Sequence, residues 1–315
     1  MVPSWRVMGG MTTTTHDLVV VGVDGSSASL AALRWAADAA TRQGRELRLL
    51  HAFVWPAYAA AYGLPPAAWA DEDLRAHAEA VLRDAATQAH EWAPGVPVHG
   101  EVLQGTPAAV LTEASRHAAM VVVGNRGSGG FGGLLLGSVS TQLARHGTGA
   151  VIVVPEPTAP ADEPPGRPRI VVGTDGSPGA EAALQFAFEQ AAIRQATLTV
   201  VRAWQPPPES WRDELGALAA SRADIESAEA QLLADSVQQW EQKYPQVTVE
   251  HQLVGDHPAR ALTAAAGGAL MLVVGSRGHG GFRGLHLGSV SLQVLHHAPV
   301  PVAVVRPAHH EEASG

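Results

Sequence analysis

The segment at residues 275–291, GSRGHGGFRGLHLGSVS, occurs a second time at residues 124–140 as GNRGSGGFGGLLLGSVS, displaced by 151 residues. Between residues 121–140 and 272–291, fifteen of twenty positions are identical. A repeat of that fidelity makes the two halves one structural unit used twice. Each copy follows a run of branched apolar residues, 119–123 or 270–274, which reads as a buried strand. Each copy leads into a helix-like segment opening Ser-Val-Ser. The expected arrangement is therefore strand, long glycine-rich loop, helix N-terminus. Glycine lets backbone N–H groups approach a ligand closely, and the open amides and positive dipole end of a helix favour phosphate.

The repeat divides 315 residues into two domains, at 17–155 and 169–307. A tail rich in Thr and Gly precedes them at 1–16, and a short polar tail follows at 308–315. The linker at 156–168 lies in a stretch whose composition is dominated by proline, with six between Pro155 and Pro168. Such a stretch reads as a semi-rigid spacer.

Within the first domain, apolar runs at 18–23, 46–54, 96–103, 119–123 and 150–154 read as strands. Helical patterns fill 28–43, 71–92, 107–117 and 139–145. The helix at 71–92 places Leu74, Ala78, Val81, Leu82, Ala85 and Trp92 on one face. The proline- and aromatic-rich stretch 55–70 reads as a loop or flap. The second domain restarts the pattern, with strands at 170–174, 198–203, 247–254, 270–274 and 301–305. Its proline-rich loop is 205–211, its long helix runs through Ile225, Ala228, Leu232 and Trp240, and a shorter one spans 259–266. Trp55, Trp69, Trp204 and Trp211 are expected to cover the flaps against the core. Strands alternating with helices predict an α/β fold: two tandem doubly wound domains, each a five-stranded parallel sheet with helices on both faces. A ligand site using the turns after strands one and four requires those strands to be neighbours, which gives the order 3-2-1-4-5.

Composition removes several chemistries. The chain has no cysteine, so thiol catalysis, disulfides and cysteine-held metals are excluded. Its only lysine, Lys243, lies far from either glycine loop, and a Walker-type phosphate loop needs its lysine beside the glycines. The net charge of −9 argues against a general nucleic-acid binder. Fifteen histidines include the pairs His296-His297 and His309-His310, but none has a metal-ligand spacing. No apolar run approaches a membrane span, and residues 1–11 lack a signal peptide's apolar stretch; Met11 offers an alternative start. The expected compartment is cytoplasmic.

The loops follow the spacing G-x2-G-x9-G-S: Gly124, Gly127, Gly137 and Ser138, then Gly275, Gly278, Gly288 and Ser289. With the Asp-Gly-Ser turns after the first strands and the Val-rich closing strands, the chain resembles a tandem universal stress protein of the ATP-binding kind, over nearly all of both domains. That resemblance implies one ATP site per domain, with Mg²⁺. Asp24 and Asp175 would meet the adenine or ribose side, the backbone of Val23 and Thr174 would line the adenine pocket, and Ala52 and Ala203 would pack against the base. Val123, Gly124, Arg126 and Gly127 would approach ribose and phosphates, as would Val274, Gly275, Arg277 and Gly278. Gly137, Ser138, Val139 and Ser140 would hold the terminal phosphates, matched by Gly288, Ser289, Val290 and Ser291. Bland readings stand beside these: Asp-Gly is also a turn pair, Ser138 and Ser289 can be simple helix caps, and the arginines can be solvated.

The glycine loops contain no carboxylate, whereas hydrolysis needs a positioned base or water-orienting group. The expectation is a nucleotide-dependent regulator read by a protein partner, to which the resemblance adds a stress-response role, with a slow ATPase or a protein autophosphorylating at Ser138 or Ser289 as the alternative. Closing strands with apolar edges further suggest an intrachain pseudo-dimer, and a homodimer beyond it.

Overall fold

A computed structural model of the protein describes residues 17–53, 68–128, 135–156, 167–205, 222–279 and 286–307. The chain divides into two compact units, Met1–Ala161 and Asp162–Gly315. In the first, β1 (Leu18–Gly22), α1 (Ser27–Gln43), β2 (Glu46–Phe53), α2 (Ala68–Trp92), β3 (Val98–Gln104), α3 (Pro107–Ala114), β4 (Met120–Gly124), α4 (Ser138–His146) and β5 (Ala150–Val154) follow one another. The second repeats the series as β6 (Arg169–Gly173), α5 (Pro178–Arg194), β7 (Thr197–Ala203), α6 (Arg222–Lys243), β8 (Val249–Val254), α7 (Pro258–Ala265), β9 (Met271–Gly275), α8 (Ser289–His297) and β10 (Val302–Val305).

Within each unit the sheet is parallel, ordered β3-β2-β1-β4-β5 in the first and β8-β7-β6-β9-β10 in the second. This is the expected doubly wound α/β order, with the switch point between β1 and β4, or β6 and β9. Val19 pairs with Met120 and Ile170 with Met271, so the ends of the two central strands lie side by side. Every residue of β4 and β5 is buried. Their continuous Val and Ile runs suit strands covered by helices on both faces.

Helix starts follow local chemistry. The Ser26 hydroxyl accepts the Ser29 amide to cap α1. Ser177 does the same for α5 through Ala180, with Pro178 in the first turn. The α1 end is closed by left-handed Gly44; at the matching end of α5, Gln195 takes that conformation, with φ 52°.

Close approach of helix to strand depends on one glycine per unit. A side-chain carbon on Gly124 would lie 2.6 Å from the Ala28 carbonyl carbon, so α1 can cross the end of β4 only over a glycine. Gly275 stands in the same relation to Gly179 on α5.

The face expected of α2 holds only in part, and of the residues named along α6 only Trp240 lies on its buried stripe. On α2, Ala78, Leu82 and Ala85 are buried, but Trp92 is 37% exposed and lies beneath the Arg34 guanidinium. On α6 the buried stripe is Leu233, Val237 and Trp240, whereas Leu232 is 49% exposed and Ala228 faces solvent. The i, i+4, i+7 stripe beginning at Leu233 stacks Trp240 against Phe188 of α5, and Tyr244 joins them. Of the expected flap tryptophans only Trp204 is described; it is buried beneath the Arg222 guanidinium. Trp55, Trp69 and Trp211 lie outside the residues whose side chains are described. Among the described residues, no helix is long and apolar enough to cross a membrane.

Candidate functional site

A cleft opens at each switch point, of about 530 Å³ in the first unit and about 420 Å³ in the second. In the first, the floor is Gly22, Val23, Val123 and Gly124 at the strand ends, and Ala52 closes one side. Opposite stand Arg126 and Gly127, with Gly137 to Ser140 at the start of α4. The second cleft is built alike from Thr174, Asp175, Ala203, Val274, Gly275, Arg277, Gly278 and the run Gly288 to Ser291. Every site residue expected from the sequence lines one of these two clefts. The sequence reading missed Pro107 and Leu111, and their counterparts Pro258 and Leu262. Their repetition at the same displacement of 151 residues was the available signal.

The starts of α4 and α8 are open. Gly137 occupies the cap position of α4 in extended geometry, with no side chain to accept the first amides. The first intrahelical bond there runs from Thr141 N to Gly137 O, at 3.0 Å. The amides of Ser138, Val139 and Ser140 therefore have no backbone acceptor within the helix. Gly288, Ser289, Val290 and Ser291 repeat the arrangement, with Leu292 N bonded to Gly288 O. The hydroxyls of Ser140 and Ser291 are already engaged. They donate to the strand-end carbonyls of Gly124 and Gly275 at 2.8 and 2.7 Å, and thereby fasten each helix to its strand. Their amides are what remains for a ligand. Gly137 N donates to Asn125 O, and Gly288 N to Ser276 O, pinching each loop shut at its base. The loop centres, at 129–134 and 280–285, lie outside the described residues.

Asp24 and Asp175 sit at the cleft edge as clamps. Asp24 Oδ1 accepts the amide and hydroxyl of Ser26, while Oδ2 accepts the Ser128 amide at 2.8 Å. Asp175 accepts the amides of Ser177 and His279. Burial alone would raise both pKa values. The hydrogen bonds outweigh it, from the Ser26 hydroxyl and the Ser128 and Ser26 amides in one case and from Ser177 and His279 in the other, so both lie below the ordinary range. A side chain on Gly127 would collide with Asp24 Oδ2, and one on Gly278 with Asp175.

Charge around the clefts differs between the units. Arg126 Nη2 meets Glu156 Oε2 at 2.6 Å, and Glu156 also accepts the Ser27 hydroxyl. That hydroxyl, followed by Arg126, holds the Glu156 pKa below its usual value. No salt bridge among the described residues includes Arg277. Arg306, hydrogen-bonded to His286 O, has its pKa pushed down to about 10 by burial and then by the nearby Arg277. His51 Nδ1 lies 2.8 Å from Val23 O, whereas its counterpart Arg202 is paired with Glu229.

The two halves match one family. The model of the universal stress protein family fits residues 16–155 and again 166–306. The chain belongs to the universal stress protein family. A universal stress protein of Mycobacterium tuberculosis is 38% identical over 307 residues, covering 91% of this chain and 94% of the relative. One from Mycolicibacterium smegmatis is 35% identical over 309 residues, covering 94% and 99%. Among solved structures, a universal stress protein from Archaeoglobus fulgidus aligns with TM-score 0.67 at 21% identity, covering 92% of this chain and 96% of that one. At that identity the likeness speaks for the tandem fold.

Proposed function

We propose that each half binds one ATP in its switch-point cleft, and that the bound nucleotide sets the state of a regulatory surface read by a protein partner. The observation that carries this reading is the run of open amides at the start of α4 and of α8, each beside a glycine loop and an arginine. Helix N-termini with free amides bind phosphate through hydrogen bonds and the helix dipole together. The apolar floor of Val23, Ala52 and Val123, or Thr174, Ala203 and Val274, suits a base. The volumes fall in the range of small-molecule sites.

The residues fit the nucleotide better than they fit a metal on their own. Among the described residues no three His, Asp or Glu side chains converge as a metal site, and the Asp24 and Asp175 carboxylates are committed to loop amides. Mg²⁺ would accordingly enter on the phosphates of ATP and be held through them. Commitment of both carboxylates to the loops also supports binding over hydrolysis, since neither is free to orient water.

The test is mass spectrometry of small molecules released from the freshly purified protein, followed by titration with ATP and Mg²⁺. ATP near two per chain supports the reading. ADP alone moves the assignment to slow hydrolysis. No nucleotide in the preparation and no binding in the titration overturns it.

A further inference from the structure

We propose that the two clefts are unequal in their response to ligand charge: the second is the strong polyphosphate site, and the first is attenuated by Glu156. This rests on the nucleotide reading and adds which half holds the triphosphate more tightly. The groups that hold Glu156 against Arg126, which lines the first cleft, all belong to that half. Its backbone amide donates to Asn125 Oδ1 at 3.2 Å, its carboxylate accepts the Ser27 hydroxyl, and its other oxygen pairs with Arg126. At a displacement of 151 residues, Asn125, Ser27 and Glu156 are replaced by Ser276, Pro178 and Pro307. The whole device is lost together, and only the arginine persists, as Arg277.

The second half carries different side chains at two neighbouring positions. Arg306 stands at the position of Pro155 and His279 at that of Ser128. Arg306 is near enough to Arg277 for the two charges to oppose each other, which a polyanion relieves. The first cleft therefore offers phosphate an arginine already paired with a carboxylate, and the second offers Arg277, which no salt bridge among the described residues includes. The other end of the cleft differs too: His51 meets the Val23 carbonyl, while the residue at the matching position, Arg202, is paired with Glu229.

The salt bridge at Arg126 is about half solvated, with side-chain exposures of 43% and 34%, so the effect is moderate. A difference of roughly tenfold in ATP affinity between the sites is the order expected for one or two partly solvated charges facing a polyphosphate. For AMP, with fewer charges, the difference shrinks, and added salt narrows it for ATP.

Calorimetric titration of the full chain with ATP and with AMP, for the wild type, Glu156→Gln and Arg277→Gln, tests this. The wild type is expected to give two phases for ATP, about tenfold apart, and nearly one for AMP. Glu156→Gln removes the counter-charge at constant size and tightens the weak ATP phase several-fold. Arg277→Gln weakens the tight phase. A single ATP phase at two per chain, or a weak phase indifferent to Glu156→Gln, overturns the inequality and leaves the nucleotide reading standing. Absence of any nucleotide binding overturns both.

Discussion

The carboxylate of Asp24 accepts the amide of Ser128 at 2.8 Å, joining the turn after β1 to the loop after β4 across 104 residues of chain. Asp175 and His279 repeat the bond in the second unit at 3.1 Å. Each aspartate thus ties together the two loops that border its cleft.

This clamp makes stability depend on acid. The folded-state pKa of each aspartate lies below the ordinary value, so its contribution is complete above about pH 4 and is lost as pH falls through the lowered folded-state value. Hydrogen bonds to a charged acceptor contribute about 1.5–3 kcal/mol, and partial exposure reduces this. Asp24→Asn and Asp175→Asn should each cost about 1–2 kcal/mol at pH 7. They should also flatten the loss of stability below about pH 4. Thermal unfolding from pH 7 to pH 3 checks it; parallel curves for wild type and variants would refute the clamp.

Two glycines should behave differently when replaced by alanine. Gly124→Ala drives a methyl into the backbone of α1 at Ala28 and should cost about 1–3 kcal/mol of stability. Gly288 has φ −72°, and its nearest neighbours lie at 3.5 Å and beyond, so the fold tolerates a side chain there. Gly288→Ala should leave the melting temperature nearly unchanged, yet weaken nucleotide binding in the second unit. Melting and titration of the two variants together separate a packing glycine from a ligand glycine.

The register of α6 is testable with neighbouring residues. Leu233 is 2% exposed and Leu232 is 49% exposed. Leu233→Ala should destabilise the second unit by about 2–4 kcal/mol, and Leu232→Ala by less than about 1 kcal/mol. Equal effects in denaturant unfolding would contradict the observed face.

That helix also marks where the sequence was ambiguous. Stripes drawn from Ile225 through Leu232, and from Leu233 through Val237, both end on Trp240. Periodicity alone does not choose between them; the stack on Phe188 does. The sheet was easier to read, because Val-rich runs such as Val121–Val123 and Val151–Val154 suit only strands covered on both sides. The cleft was legible through the repeat, which made Gly137 and Ser138 recognisable by their copies. Glu156 carried no such signal. It lies in the proline-rich linker, 30 residues from Arg126, and only the fold brings the two together.

The central claim is that backbone amides at the starts of α4 and α8 hold the phosphates, and proline substitution addresses it directly. Pro107, Pro178 and Pro258 already occupy first-turn positions in three helices. Gly137 and Gly288 have the extended geometry that a residue before proline adopts. Ser138→Pro with Ser289→Pro therefore removes one amide per site and keeps the helices, while Ser138→Ala with Ser289→Ala removes only the hydroxyls. In ATP titrations the proline pair should lose about tenfold to a hundredfold in affinity, the value of one charge-assisted hydrogen bond, and the alanine pair distinctly less. Wild-type ATP affinity in a folded proline pair would contradict the account.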